Sequence, residues 1–351
     1  MRYELICVEP ASPPHLQMRT SALPELRRGQ VLVRVEATSV NPIDAKRAGG
    51  YGRRLLALKG AGKFPLVLGN DLAGRVEAVG PGVSKLELGQ RVFGLVATGK
   101  GGGAHASHVV AAESLLQEAP KGIEAQPLAV LPYSFTTMWL AVRSTGLGAA
   151  NAAGKRVLVH GAAGALGRLA LQLLSAWGSR VTAICDVGKA DDCRALGARN
   201  VAERGPQAIA SLPTDFDVAL NFASWDDELA LASRLGSDAL GHATTVHPLL
   251  AHFDQLGWVR GALASRRDAN AVRSAVQARS PGTRYGWTIF KPDPEALAAL
   301  GAGVREHRFL LPVGLSVPFE QADAAFAHVA AGKPGRAVLL PLSTTIRSER
   351  A

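Results

Sequence analysis

Short apolar runs alternate with turn residues along the first third of the chain. Residues 30–37 place apolar side chains at every second position, which is typical of a strand with one buried face, and residues 69–78 and 90–97 carry similar runs. Glycine and proline residues separate these runs and predict loops between them. The pattern predicts a β-rich domain over residues 1–125.

The pattern changes at about residue 126, where apolar strands alternate with segments of helical period. Strands are predicted at 157–160, 180–185, 217–221, 239–246 and 285–290, and helices at 169–177, 190–196 and 227–235. Because parallel strands need crossover segments to join them, this alternation indicates a parallel sheet with helices on its faces. The sequence therefore predicts an α/β fold, with a doubly wound parallel sheet over residues 126–292.

The tail of the chain, residues 293–351, contains only short segments of helical and strand character. It carries helical runs at 295–306 and 320–331 and strand-like runs at 313–317 and 337–340. Because the doubly wound sheet is already complete at residue 290, we assign residues 293–351 to the first domain, to which the chain returns.

The strand at 157–160 leads directly into a glycine-punctuated turn and an apolar helix. Glycine permits the tight turn at 161, lets the backbone approach a pyrophosphate at 164, and packs helix against strand at 167. The first amide groups of the helix can then face an anion. The spacing predicts a dinucleotide-binding site that contains Gly161, Ala162, Gly164, Ala165, Leu166 and Gly167.

Composition narrows the range of partners. The net charge is +10, but arginine and lysine are dispersed without a dense basic tract, so we expect anionic small ligands rather than nucleic acid as the main partner. The three cysteines show no paired spacing, which argues against a disulfide framework or a four-cysteine zinc lobe. The longest apolar run, at 127–142, is too short for a membrane span. We therefore expect a cytoplasmic protein without a membrane partner.

Several segments occur together in an order that is more specific than the glycine turn alone. They are Asn41-Pro42-Ile43-Asp44, Gly50-Tyr51-Gly52, 65–74, 89–94, Leu131-Pro132-Tyr133, 161–167, 284–287 and 332–339. With this set the chain resembles the zinc-independent branch of the medium-chain dehydrogenase/reductase superfamily, and within it the quinone oxidoreductases of the reticulon-4-interacting-protein type. The resemblance, collinear from about residue 3 to 342, implies a GroES-like catalytic domain and a Rossmann domain with the active site in the cleft between them.

The choice of cofactor depends on three charged residues. Asp186 follows the second strand of the parallel sheet, where an acidic residue binds the ribose hydroxyls and repels a 2′-phosphate. Lys189 lies in the same loop, and Arg204 stands near the place of a tyrosine that touches the 2′-phosphate in relatives. We predict NADPH. NADH is the alternative if Asp186 binds the ribose hydroxyls. The structural alternative is that the two cations are only solvated and that Asp186 caps a helix.

The resemblance implies three further cofactor contacts. Arg336 aligns with a basic residue that reaches the pyrophosphate in relatives, and Val246 and His247 are expected near the nicotinamide ribose. A surface charge in the tail and a strand-end loop are the respective structural alternatives.

Zinc alcohol dehydrogenases of the superfamily carry a cysteine and a histidine ligand where this chain has Asn41 and Asn70. Neither asparagine is a good zinc ligand, so we expect no catalytic zinc. Alcohol oxidation without a Lewis acid lacks a means of stabilising the alkoxide. Hydride addition to a quinone or an α,β-unsaturated carbonyl compound needs only a hydrogen-bond donor at the acceptor oxygen, and this is the reaction that we predict.

Four residues are candidates for the catalytic role. The resemblance places Tyr51 over the substrate as a hydrogen-bond or proton donor, with Tyr133 at the domain junction as the second candidate. Asn41 can bind the cofactor or the substrate, and Asp44 can orient its loop. Loop, packing, turn and helix-cap roles are the structural alternatives.

Trp287 and Phe290, on the last predicted strand of the parallel sheet, are candidates for the walls of an acceptor pocket, with packing as the alternative. Two other functions stay open: a dedicated enoyl or double-bond reductase of a biosynthetic pathway, and a cofactor-binding protein that mainly binds a protein or RNA partner. Relatives often pair through the edge of the parallel sheet, and the resemblance therefore implies a homodimer.

Overall fold

The computed structural model describes residues 1–97 and 102–341; the last ten residues of the predicted tail segment 293–351 lie outside this part of the chain. The strands of the described ranges are β1 (Arg2–Cys7), β2 (Leu16–Ser21), β3 (Gln30–Val40), β4 (Leu66–Val67), β5 (Asp71–Val79), β6 (Arg91–Leu95), β7 (His108–Ala112), β8 (Leu116–Glu118), β9 (Arg156–His160), β10 (Arg180–Cys185), β11 (Ala198–Glu203), β12 (Val218–Asn221), β13 (Gly241–Thr244), β14 (Arg284–Trp287), β15 (Val313–Pro318) and β16 (Arg336–Leu340). Their α-helices are α1 (Pro42–Ala48), α2 (Arg53–Ala57), α3 (Ala125–Ala129), α4 (Pro132–Ser144), α5 (Ala165–Ala176), α6 (Ala190–Ala195), α7 (Pro206–Ala210), α8 (Glu228–Ala232), α9 (Leu249–Arg279), α10 (Pro294–Arg305) and α11 (Ala322–Ala330). None of these helices combines the length and the apolar character that crossing a membrane requires.

The chain forms two compact units. The first contains Met1–Tyr133 and the described part of Pro292–Ala351, and the second contains Ser134–Lys291. The chain enters the second unit inside α4, because that helix runs without a break from Pro132 to Ser144. The sequence-based domain limits at 126 and 293, with their assigned roles, stay a prediction.

Two sheets build the first unit. β2, β1 and β4 form a small antiparallel sheet, and the larger sheet has the order β15-β16-β3-β5-β6-β8, with β7 also paired to β3. The strands of the tail belong to the larger sheet because β16 runs antiparallel to β3, with Val338 opposite Ser39. The same sheet brings the end of β3 close to the start of β5, where a buried polar cluster lies.

The second unit contains a six-stranded sheet in which neighbouring strands are parallel, in the order β11-β10-β9-β12-β13-β14. Its central strand β9 is buried on both faces, as Val157 to Val159 show, because helices cover each side. The order of the strands reverses between β9 and β12, and doubly wound sheets bind ligands at the carboxyl ends of the strands beside such a reversal. The predicted α/β fold, with a doubly wound parallel sheet, is confirmed.

Several elements differ from the sequence-based prediction, β11, α9 and β14 among them. The pattern predicts neither β11 nor the long helix α9, which has few buried residues and is broken at Gly257, where φ is +77°. The strand predicted at 285–290 is too long. β14 ends at Trp287 because its neighbour β13 ends at Thr244, so Phe290 lies beyond the strand and not on it.

Candidate functional site

The turn after β9 is attached to the end of the neighbouring strand. The N–H groups of Gly161 and Ala162 both donate to Ile184 O at 3.1 Å. Gly161 has a φ of +79°, a conformation that glycine adopts without strain. A Cβ at Gly167 would lie 2.3 Å from Gly161 O, so only glycine lets α5 pack this closely against the turn. These contacts are a physical reason for glycine at both positions.

The first turn of α5 can receive an anion. Gly164 is the exposed N-cap residue, and no side chain in the described part of the chain caps the helix. The N–H groups of Ala165 and Leu166 therefore lack a protein acceptor, and they lie at the positive end of the helix dipole. A Cβ added to Gly164 would contact only Gly161 O among the described residues, at 3.3 Å. A ligand can therefore approach the backbone of Gly164 closely. The residues present fit the pyrophosphate of a dinucleotide.

Three charged residues lie exposed around the carboxyl end of β10. Asp186 directly follows the strand, and its carbonyl oxygen accepts from the Lys189 N–H at 2.9 Å. The Arg204 N–H donates to Cys185 O at 3.1 Å, which places Arg204 at the same end of the sheet. The Asp186 side chain makes no capping hydrogen bond, contrary to the helix-cap alternative. Two cations and one anion thus stand where the adenosine ribose of a dinucleotide bound to this sheet would lie.

His247 and Trp287, predicted separately for cofactor and acceptor, lie against each other. Their rings stack with centroids 4.8 Å apart and an angle of 3° between the planes. His247 Nε2 donates to Thr288 O at 3.0 Å, and burial lowers the pKa of this histidine. Val246 is held by a bond from its N–H to Thr244 Oγ1 at 3.3 Å. The pair forms a flat wall near the carboxyl ends of β13 and β14.

A buried network under this wall has no clear signal in the sequence. Glu228, on α8, accepts hydrogen bonds from His242 Nε2 at 2.7 Å and from the Tyr285 hydroxyl at 3.1 Å, and Asn221 Nδ2 also donates to it. The Tyr285 hydroxyl in turn accepts from Trp287 Nε1 at 2.9 Å. Burial raises the pKa of Glu228, but His242 and the other donors outweigh it, and the net shift is downward. The network fixes the orientation of the Trp287 ring.

Asn41 and Tyr133, two of the predicted catalytic residues, contact Asp71, which sequence reasoning missed as a site residue. Asp71 is completely buried. Its carboxyl group accepts from Ser39 Oγ at 2.5 Å, from Asn41 Nδ2 at 2.7 Å and from the Tyr133 N–H. Burial raises its pKa to about 6, against the lowering effect of these donors and of Arg336. The only sequence signal for Asp71 is its position in segment 65–74, which is one of the segments that carry the family resemblance.

Asn41 and Asp44 share the start of α1. Asp44 accepts from the Asn41 N–H at 2.9 Å through one oxygen and from the Gly69 N–H at 3.0 Å through the other. These are the contacts of a helix-capping residue that also holds a loop. The Asn41 side chain is completely buried, and with Asp44 it forms a capping box at the start of α1.

Tyr51 lies half-buried in the loop between α1 and α2. Its N–H donates to Lys46 O at 3.1 Å, and Lys46 Nζ lies 5.6 Å from the centroid of its ring. Tyr133 begins α4 together with Pro132 and contributes its backbone N–H to Asp71. Arg336 lies on β16, where burial lowers its pKa and Asp71, Tyr133 and Asp44 oppose the shift. Arg336 thus belongs to the Asp71 cluster, and its predicted contact with a pyrophosphate stays a prediction.

Asn41 and Asn70 stand at the zinc-ligand positions of the superfamily, and their side-chain amides make other hydrogen bonds. Asn41 donates to Asp71, and Asn70 Nδ2 donates to Val96 O at 3.4 Å. Within residues 1–97 and 102–341, histidine, cysteine, aspartate and glutamate form no group of three or more that could hold a metal ion. The expectation of no zinc stays a prediction.

Comparison with known proteins identifies relatives that match most of the chain or about half of it. Residues 27–121 match the family model described as the alcohol dehydrogenase GroES-like domain. The chain is 33% identical over 330 residues to the mitochondrial NAD(P)H oxidoreductase RTN4IP1 of Drosophila melanogaster, covering 88% of this chain and 78% of the relative. It is 32% identical over 193 residues to the chloroplastic quinone-oxidoreductase homolog of Spinacia oleracea, covering 54% and 57% of the two chains.

Solved structures share the fold over nearly the whole chain. The quinone oxidoreductase from Coxiella burnetii has a TM-score of 0.77 at 21% identity, covering 97% of this chain and 99% of its own. CurK enoyl reductase has a TM-score of 0.77 at 19% identity, with the same coverage. A mycobacterial protein complexed with NADPH has a TM-score of 0.72 at 23% identity, covering 97% and 100%. At these identities the likeness shows the fold.

Proposed function

The chain belongs to the medium-chain dehydrogenase/reductase superfamily, in the group of NAD(P)H oxidoreductases that includes RTN4IP1, and we propose that it reduces quinones or α,β-unsaturated carbonyl compounds with NADPH. Membership makes it an NAD(P)H-dependent oxidoreductase. The preference for NADPH and the class of acceptor are the proposal.

The uncapped first turn of α5 carries the proposal. Ala165 and Leu166 would donate to the pyrophosphate, and Gly161 and Gly167 keep the turn tight enough for it to sit against the backbone. When bound, the nicotinamide supplies a hydride. The stacked pair of Trp287 and His247 would shield the bound nicotinamide from water at the same end of the sheet.

Lys189 and Arg204 support NADPH over NADH. Both are exposed at the end of the sheet where the adenosine ribose binds in this fold, and both can form charge-assisted hydrogen bonds to a 2′-phosphate. Asp186 alone favours the unphosphorylated ribose. The mycobacterial structure of the same fold contains NADPH.

The chemistry of the first unit supports a conjugated acceptor. Asn41, Tyr51 and Tyr133 can form hydrogen bonds to a substrate oxygen, but they cannot stabilise it as a Lewis acid does. The Tyr51 hydroxyl would donate to the acceptor oxygen, which gains negative charge as an enolate or a hydroquinone forms. The names of the Coxiella and spinach proteins point to quinones as well.

The test is the consumption of NADPH with a panel of quinones, simple enones, enoyl thioesters and saturated aldehydes, beside a gel shift with RNA. We expect turnover of quinones or enones, slower turnover of saturated aldehydes, and no gel shift. Turnover of enoyl thioesters alone would favour the dedicated enoyl reductase. A gel shift without turnover of any acceptor would favour the RNA-binding protein.

Replacement of Tyr51 by phenylalanine tests the proton donor. We expect Tyr51→Phe to lower kcat about 10²-fold, because general acid catalysis by one side chain contributes on that order. The dissociation constant of NADPH should not change. Tyr3→Phe, on β1, is the matched control, and an unchanged kcat in Tyr51→Phe would exclude Tyr51 as the donor.

We keep two further predictions from the sequence as proposals. A homodimer would pair through β14, the edge strand of the parallel sheet. A cytoplasmic location is the second, although the Drosophila relative is named as mitochondrial.

A further inference from the structure

Helix α9 presents large apolar side chains to solvent where the chain breaks at Gly257. Val259 is 73% exposed and Leu263 is 64% exposed. Leu256 and Trp258, on either side of the break, are 45% and 47% exposed. These four exposed apolar side chains lie within eight residues, and clustering of this kind is a feature of interaction sites.

The part of the helix after the break has two distinct faces. Small or apolar residues at Gly261, Ser265, Val272 and Val276 are buried. Val259 lies roughly 160° around the helix from Gly261, at about 100° per residue, and Leu263 follows Val259 on the same side. The exposed apolar side chains therefore do not belong to the stripe that packs against the rest of the unit.

Arginine residues border the exposed apolar side chains on both sides. By the same spacing, Arg266 lies about 20° from Val259, while Arg267 and Arg260 lie about 40° and 60° beyond Leu263. All three arginines are exposed. Arg267 bonds to Asp268 at 3.0 Å, whereas Arg260 and Arg266 have no hydrogen bond or ion pair with any described residue. We call these five residues, Val259, Arg260, Leu263, Arg266 and Arg267, the α9 outer face.

We propose that the α9 outer face docks on the surface of an anionic lipid bilayer, with its apolar side chains in the headgroup region. An apolar centre with cationic borders is the arrangement by which interfacial helices bind anionic membranes. The net charge of +10 adds long-range attraction to such a surface. A second copy of the chain is the poorer occupant, because a twofold contact through this face would bring arginine borders of like charge together.

This proposal departs from the expectation, drawn from the sequence, of no membrane partner. The expectation rested on the lack of a long apolar run. The exposure of Val259 and Leu263 appears only in the folded chain, since their apolar character alone would also suit a buried position.

Vesicle sedimentation of the full chain tests the proposal. We expect at least about tenfold more binding to phosphatidylcholine vesicles with about 30% phosphatidylglycerol than to pure phosphatidylcholine, because each arginine near an anionic surface contributes measurably. The double variants Val259→Ser with Leu263→Ser, and Arg260→Gln with Arg266→Gln, should each lose about tenfold or more of this binding. Leu88→Ser, at a 67% exposed leucine of the first unit, is the matched control and should bind like the original chain.

Measurements on the same variants check that each protein stays folded. Each variant should keep its melting temperature and its affinity for NADPH. The proposal is overturned if anionic vesicles bind no better than neutral ones, or if the serine variant binds as well as the original. It is also overturned if the arginine-to-glutamine variant keeps full binding, or if the serine variant abolishes a dimer seen by light scattering.

Discussion

Asp71 holds a carboxyl group out of contact with water among Ser39, Asn41 and the Tyr133 backbone. The donors suit a carboxylate, but burial outweighs them and raises its pKa to about 6. The charged residues at the end of β10 are in the opposite situation, because Asp186, Lys189 and Arg204 are exposed. At the residue scale, we expect the first group to affect stability, and we propose that the second affects the choice of cofactor.

The stability of the protein should depend on pH through Asp71. Because its pKa in the folded state, about 6, exceeds the ordinary 3.8, the unfolded chain loses this proton first as pH rises. The contribution of Asp71 to the free energy of unfolding is fully present below about pH 4. It is lost by the time the pH has passed 6, a decrease of roughly 3 kcal/mol. In Asp71→Asn the free energy of unfolding should fall less steeply between pH 4 and pH 7. Urea unfolding at several pH values measures this slope, and the exposed Asp238→Asn should follow the original chain. Equal slopes in Asp71→Asn and the original would contradict the shift.

Lys189 and Arg204 should decide the choice between NADPH and NADH. We expect Lys189→Ala and Arg204→Ala each to lower kcat/KM for NADPH about tenfold, because a hydrogen bond to a charged group contributes on the order of 1.5–3 kcal/mol and exposure reduces it. The value for NADH should change little. Steady-state kinetics with both cofactors measure the ratio, and Arg199→Ala, at an exposed arginine near the start of β11, is the control. The prediction fails if kcat/KM falls by the same factor for NADPH and for NADH.

At the scale of elements, the second unit places its candidate cofactor residues where a strand becomes a helix or a loop. The turn between β9 and α5, the loop after β10 and the segment after β13 all lie at the carboxyl ends of parallel strands. Their relative positions follow from the register of the sheet, in which Ile184 stands beside His160 and Thr244 beside Asn221. A change in one turn should therefore disturb ligand binding without touching the ligand.

Gly167→Ala tests the contact between α5 and its turn. The added Cβ would lie 2.3 Å from Gly161 O and 2.5 Å from Ala162 Cα, so the helix must move away. We expect the free energy of unfolding to fall by about 1–3 kcal/mol, as in other overpacked sites. Binding of NADPH, measured by calorimetry, should weaken at least about tenfold because the first-turn N–H groups are displaced. Gly282→Ala has no described heavy atom within 4 Å of its Cβ and should change neither quantity.

At the scale of the whole molecule, the first unit contains two sheets and the second contains one, and hydrophobic clusters occur in both units. Positive charge is not confined to either unit, since exposed arginines occur in both. A net charge of +10 produces a general attraction for anions that adds to the local contacts of a bound nucleotide.

The capture of NADPH should therefore depend on ionic strength. Between about 20 mM and about 300 mM salt, kcat/KM for NADPH should fall several-fold, because screening shortens the reach of the charge. KM for an uncharged quinone should stay constant over the same range, and this comparison is the internal control. A constant kcat/KM for NADPH would show that the net charge does not assist capture.

Features that depend on neighbouring positions follow from the sequence alone. The parallel sheet, the turn at 161–167 and the β-rich first domain were predictable because strand period, helix period and glycine spacing are local properties of the chain. The same holds for Asp186 and Lys189, which follow a predicted strand directly. The ordered set of segments also identified the family.

Tertiary structure decided what depends on residues far apart in the chain. Ser39, Asn41, Asp71 and Tyr133 meet only because β3, β5 and the start of α4 lie together. The support of Trp287 by Tyr285 and Glu228 likewise joins β14 to α8. The end of β14 at Trp287 was set by the length of its neighbour, and the exposure of Val259 and Leu263 by what packs around α9. In each case burial and pairing are properties of the folded chain, and no single segment contains them.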